Sequence, residues 1–282
     1  MVKVSRREFI IGSAGFISGG VVGSFLAEKT SISIPDYVEK IPWETNLLRA
    51  VKFLRESQYN PALKLCREAT KGERANTYWL LSDNLLASRV FWFFRDYSTA
   101  RSISSELSRR NWTRNNFHEV LFGRIIDFPP RTGRVIEIEK GANHRILTEH
   151  HDGPIFQDYD QYADLLIYGV LWYLRRGDRD GALKLYDKVL VMWDGLGLRD
   201  KVVKEKNIYA TYKLALLLYA SNLLEIELDF RTDVENIIWQ RQQRSDGGII
   251  TDYDVDGSPV GDANTETTSL SILAYINPFK PF

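Results

Sequence analysis

Two kinds of helical segment alternate along this chain, and the alternation restricts its architecture more than any single motif does. Residues 78–94, 162–174 and 212–224 are apolar nearly all round; the first holds Trp79, Leu80, Leu81, Leu85, Leu86, Val90, Phe91, Trp92, Phe93 and Phe94. A helix with no polar face must be covered on every side by other elements. Between these segments lie stripes that are apolar on one face only: Leu47, Leu48, Val51 and Leu54; Ala182, Tyr186, Val189, Leu190 and Trp193; Val234, Ile237 and Ile238. The expected architecture is mainly α and two-layered, with outer helices that bury one face and inner helices that bury both. Asp83, Asp164 and Lys213 interrupt the apolar segments, which argues against reading them as membrane spans.

The connections repeat. His151-Asp152-Gly153 leads into the segment at Tyr162, and Trp193-Asp194-Gly195-Leu196-Gly197 into Tyr209-Ala210-Thr211-Tyr212. Ser245-Asp246-Gly247-Gly248 leads in the same way into Asn264-Thr265-Glu266-Thr267-Thr268. Each glycine supplies a left-handed residue after an outer helix, while Asn264, Thr265 and Thr211 are suited to capping the next one. The stretch Trp239-Gln240-Arg241-Gln242-Gln243-Arg244-Ser245-Asp246-Gly247-Gly248, followed by Glu266-Thr267-Thr268, resembles a repeat unit of the α/α toroids of the terpenoid cyclase and prenyltransferase superfamily. The resemblance implies an α/α-toroid domain over residues 30–282. Terpene chemistry does not follow from it: Ile249 stands where an aromatic usually follows the glycine pair, and no Asp-x-Asp-Asp acid motif is present.

Residues 117–150 break the helical pattern. Val120-Leu121-Phe122, Arg124–Phe128, Arg134–Ile138 and His144–Leu147 alternate, punctuated by Pro129-Pro130 and Gly133, which predicts a small β-meander inserted between helical units. What remains amounts to four or five helix pairs, so the expected toroid is incomplete.

Residues 1–29 read as an address. Ser5-Arg6-Arg7-Glu8-Phe9-Ile10 precedes a run from Phe9 to Ala27 that carries no charge and is diluted by Gly12, Gly15, Gly19, Gly20 and Gly23. This order resembles a twin-arginine export signal. The run would span about 28 Å as a helix, so the segment is either a cleaved signal peptide or an uncleaved anchor at the outer face of the membrane. The expected location is extracytoplasmic, with membrane contact only through this segment.

Lys+Arg and Asp+Glu both number 37, a balance that lacks the basic excess of a nucleic-acid-binding domain. Cys66 is the single cysteine, which excludes an intrachain disulfide framework, and its apolar helical context suits a buried structural thiol. Glu149-His150-His151-Asp152 contains possible metal ligands, but neighbours on a strand point to opposite faces. No P-loop, dinucleotide fingerprint or nucleophile elbow is present.

In a toroid the loops entering the inner helices gather at one end, and here that end is acidic: residues 225–266 hold eleven Asp/Glu and three Arg. Asp252-Tyr253-Asp254-Val255-Asp256-Gly257 has the opening spacing of a calcium loop, which makes Asp252, Asp254 and Asp256 candidate metal ligands and calcium the candidate cofactor. Glu266, in the first turn of an inner helix, pairs with Asp83 or Asp194 as candidate catalytic carboxylates. Asn264, Tyr209, Tyr212 and Asp164 are the candidate substrate contacts. The expected function is an exported surface protein that binds or cleaves carbohydrate, as a glycoside hydrolase or polysaccharide lyase does. The alternative is a non-catalytic surface module that holds a protein partner.

Overall fold

The computed structural model describes residues 43–69, 78–110, 116–124 and 126–276; residues 1–29, read above as an export signal or anchor, lie outside them. The described chain is mainly α-helical with small β-sheets. It begins with α1 (Glu44–Phe53), which widens into a π-helical stretch (Leu54–Gln58), then β1 (Tyr59–Asn60), β2 (Leu65–Cys66) and β3 (Tyr78–Leu80). The hairpin of α2 (Leu81–Phe93) and α3 (Tyr97–Arg109) follows, then a 3₁₀ helix (Phe117–Phe122), β4 (Arg134–Lys140) and β5 (Arg145–His150). A second hairpin is α4 (Ala163–Arg175) and α5 (Arg179–Leu190), followed by short α6 (Lys201–Lys206), β6 (Ile208–Ala210) and α7 (Thr211–Leu224). The chain finishes with α8 (Arg231–Asn236) and its π-helical extension (Ile237–Arg241), β7 (Ile250–Asp254), β8 (Pro259–Ala263) and α9 (Thr265–Leu273).

The three all-apolar segments form α2, α4 and α7, each buried along most of its length. Leu214, Leu216, Leu217 and Leu218 of α7 are fully covered. Such burial contributes about 1.5–3 kcal/mol per side chain relative to exposure. With α9 and the 3₁₀ helix these elements follow one another as neighbours: α2 packs on α9, α9 on α7, α7 on α4, α4 on the 3₁₀ helix, and that helix on α2. α3 covers α2, α5 covers α4, the extension of α8 covers α7, and α1 covers α9. Leu47, Val51 and Leu54 bury the expected stripe of α1, as Ala182, Tyr186 and Val189 do in α5.

The first described helix therefore closes on the last units of the chain. The Trp43 indole donates to Glu235 (3.1 Å), Asn46 donates to the Trp239 carbonyl (3.1 Å), and Arg49 donates to the carbonyls of Arg244 and Ser245 (3.0 and 2.8 Å). Gly247 sits against this contact with φ +98°, and a Cβ there would stand 2.1 Å from the Arg49 carbonyl oxygen. Further along, Thr265 donates its amide to the Glu68 carbonyl (2.9 Å) and its hydroxyl to that of Arg67 (2.6 Å). This stitches the strap Leu65–Ala69 to the start of α9.

Two of the three Asp-Gly connections do the work their spacing implies, with Gly195 and Gly247 left-handed. Asp152-Gly153 does not, since it follows β5, Gly153 is not left-handed and Asp152 pairs with Arg134 (2.8 Å). Asp194 Oδ1 accepts from the amides of Leu196 and Gly197 (both 3.0 Å), and Asp246 Oδ1 accepts from Gly248 (3.1 Å). Asn264 caps α9 by accepting from the Thr267 amide (2.8 Å). Thr211 is the first residue of α7 rather than its cap.

The 117–150 insertion departs from the expected meander. Phe117–Phe122 is the 3₁₀ helix, not a strand, because Asn116 and Glu119 form a capping box: Asn116 Oδ1 accepts from the His118 amide (2.9 Å), and the Asn116 amide donates to Glu119 Oε1 (3.3 Å). Ile126–Phe128 forms no strand either. The strands that do form are the antiparallel pair β4–β5, and β3 adds to β5 in parallel, Tyr78 opposite Arg145.

Candidate active site

Each inner helix is entered from an extended residue, and each opening turn carries an ionisable side chain: Asp83 on α2, Asp164 on α4, Lys213 on α7 and Glu266 on α9. Contacts between these turns place them at one end of the molecule. Lys213 Nζ donates to Asp200 Oδ2 (2.6 Å) and lies 3.9 Å from Asp164 Oδ1, while the Tyr212 hydroxyl donates to Asp164 Oδ2 (3.0 Å). The strap Leu65–Ala69 touches both α2 and α9, since Asn84 holds the backbone of Cys66 and Thr265 holds that of Arg67 and Glu68.

Glu266 is 6% exposed and His118 fully covered. The His118 Nε2–H donates to Glu266 Oε1 (3.0 Å), joining the 3₁₀ helix to α9. Asp252, half-buried on β7, lies within the electrostatic reach of both Lys213 and Glu266. Burial pushes its carboxyl up to about 7; the Lys213 ammonium pulls it back and the Glu266 carboxylate pushes it further. A carboxyl that titrates near neutrality, beside a second carboxylate oriented by a histidine, has the makings of an acid–base pair. Behind it, Thr251 and Thr267 share a hydroxyl hydrogen bond (2.9 Å) that fixes β7 to α9.

The residues expected from sequence do not all meet. Glu266, Asp164 and Tyr212 come together with Lys213 and Asp252. Asp194 sits apart at its Asp-Gly turn, where it accepts from the Tyr209 hydroxyl; Tyr209 stacks on Tyr253 with ring centroids 5.3 Å apart. Burial, then this bond to Asp194, pushes the Tyr209 phenol up to about 12. Asp83 is buried at the strap, where burial and then its carboxylate push the Cys66 thiol up; the thiol is buried as expected, but on strand β2 paired with β1 rather than on a helix. Asn264 serves as the cap described above.

Asp252, Asp254 and Asp256 are not brought to one point. They lie along the β7–β8 hairpin, whose turn is built by Asp254 Oδ1 accepting from the amides of Asp256 (3.0 Å) and Ser258 (2.9 Å). Among the described residues no group of three or more His, Cys, Asp or Glu side chains is arranged to hold a metal ion. No helix among them is long and apolar enough to cross a membrane.

Sequence reasoning missed His118, Asp200 and the site role of Lys213. Asp200 is fully buried and accepts from the Ala163 amide (3.2 Å), the Val202 amide (3.0 Å) and Lys213, tying α4, α6 and α7 together. The signal for His118 was the Asn116-Phe117-His118-Glu119 capping pattern, which marks a helix start. Compared with known proteins, the chain matches no family model, no curated sequence and no solved structure.

Proposed function

We propose that this chain is an exported α/α-toroid protein that cleaves carbohydrate at the cell surface, with Asp252 as acid and Glu266 as the second carboxylate. The observation that carries the reading is the meeting of the inner-helix opening turns, where Lys213 lies 3.9 Å from Asp164 and, with Glu266, exerts its charge on Asp252 of β7. The cyclic order of inner neighbours, with each of the four inner α-helices covered by an outer helix, supports the toroid. Several carbohydrate-cleaving enzymes use that architecture, an analogy of fold alone. Two carboxyl groups, one of them protonated near neutrality, suit glycosidic hydrolysis. Tyr212 and Asp164, hydrogen-bonded to each other at the same end, are the proposed sugar contacts. The twin-arginine resemblance supports a location outside the cytoplasm, with the protein held by residues 1–29 or released from them.

The full chain, incubated with a panel of polysaccharides and oligosaccharides with calcium or with chelator, is to be assayed by mass spectrometry. Fragments heavier by one water than an elimination product identify hydrolysis, and Glu266→Gln and Asp252→Asn should each abolish them. A panel-wide absence of fragments sinks the enzyme reading. The near-complete burial of Glu266 and its bond to His118 favour a second reading, a surface module that binds carbohydrate or a protein partner without turning it over. In that case both variants keep binding.

A further inference from the structure

At the opposite end, where the inner helices finish, arginines gather around the turn Phe122-Gly123-Arg124. Arg89 of α2 lays its guanidinium 5.2 Å over the Phe122 ring and has no carboxylate in ion-pair range among the described residues. Burial, then the neighbouring Arg124 charge, disfavours the charge on Arg89. Arg124 pairs with Glu119 at 3.1 Å. Arg175 of α4 reaches the same turn, donating to the carbonyls of Val120 and Leu121 (3.3 and 3.1 Å), with Nη1 3.3 Å from where a Cβ on Gly123 would stand. Arg176 lies 4.8 Å over Trp172. Like charges gathered at a half-buried surface repel, and an oxyanion between them relieves the repulsion; guanidinium forks match phosphate oxygens two at a time.

What presents the oxyanion follows from where the chain enters. Trp43 donates to Glu235, and Glu235 and Trp239 both hydrogen-bond Tyr275, just past the end of α9. Trp43, where the described chain begins, therefore lies at the end where the inner helices finish. Trp92 and Tyr97, 38% and 43% exposed, meet edge to face at 4.9 Å on the turn between α2 and α3 at that same end. Exposed aromatics of this kind settle at the level of lipid headgroups. The acidic residues Glu225, Glu227 and Asp229 follow α7, across the cycle from the 3₁₀ helix.

We infer that Arg89, Arg124 and Arg175 form a docking site for the phosphates of anionic phospholipids, resting on the reading of residues 1–29 as an uncleaved anchor. The test follows the arginine side-chain NMR signals of the full chain in neutral detergent. Dihexanoyl phosphatidylglycerol, dihexanoyl phosphatidylcholine and inorganic phosphate are titrated separately, with Arg89→Gln and Arg124→Gln assigning the signals. Phosphatidylglycerol should saturate the Arg89 and Arg124 shifts at a concentration about tenfold below the other two. The double variant should lose that response, while Arg101→Gln, an exposed change on α3, keeps it. Equal saturation by inorganic phosphate makes this a site for a soluble oxyanion and overturns the docking role; no shift with any probe overturns the site. Alkaline carbonate washing of membranes tests the anchor separately. A washed-out chain sinks the anchor reading and the docking role with it, whereas a retained chain with unresponsive arginines sinks the docking site alone.

Discussion

His118 and Glu266, 148 residues apart in sequence, share a 3.0 Å hydrogen bond inside the protein. It links two elements, the 3₁₀ helix and α9, that are not among each other's main packing neighbours. The bond thus reaches across the set of inner helices and fixes the orientation of one carboxylate beside Asp252.

Glu266→Gln retains an acceptor for the His118 N–H, so the variant should fold and melt within a few degrees of the parent. Glu266→Leu removes that acceptor from a fully covered imidazole and should cost about 1–3 kcal/mol. Urea denaturation of the two variants side by side checks the difference; equal stability would show the bond to be energetically idle.

The titration of Asp252 fixes a sign for the dependence of stability on pH. Its folded-state carboxyl is pushed up to about 7, above the ordinary aspartate value, so between about pH 4 and pH 7 the folded chain holds a proton that the unfolded chain has released. This group makes stability fall as pH rises through that window and level off above it. Asp252→Asn should flatten the slope and raise stability at pH 8 by on the order of 2 kcal/mol. Denaturant midpoints at pH 4.5 and pH 8 decide the matter.

Lys213 is buried with Asp200, which is wholly covered. Lys213→Met leaves that carboxylate without its cation and should destabilise by about 3–5 kcal/mol. Adding Asp200→Asn should recover part of the loss. A double-mutant cycle in guanidinium measures the coupling, and additive losses would argue against a direct pair.

Gly247→Ala places a side chain on a left-handed residue and against the Arg49 carbonyl, 2.1 Å from the new carbon. The α1 closure must shift to admit it, at a cost above about 1 kcal/mol. Gly195, at φ +91°, has nothing within 4 Å of the same position, so Gly195→Ala should cost less. Thermal melts of both variants give the comparison.

The layering was legible because a helix apolar all round, such as Thr211–Leu224, has no stable place except between other helices. The Asp-Gly turns were legible because Asp194 and Asp246 act on amides within three residues of themselves. The site was harder to read. Asp252-x-Asp254-x-Asp256 has calcium spacing, yet the chain runs through it as a hairpin strand and turn. Asp254 is taken up by local amides and Asp252 faces charges from α7 and α9. Those partners lie far away in sequence, and no local pattern announces a tertiary neighbour. The hydrophobic run Val120-Leu121-Phe122 suggested a strand because the period of three short residues is ambiguous; the cap at Asn116 decided it.

The closure of α1 has a consequence for synthesis. Trp43 and Thr265 find partners 192 and 198 residues away. At ordinary elongation rates α1 waits roughly 10–40 seconds for the segment that covers it. Through that interval Leu47, Val51 and Leu54 stay uncovered, so the domain is completed only once nearly the whole chain has emerged.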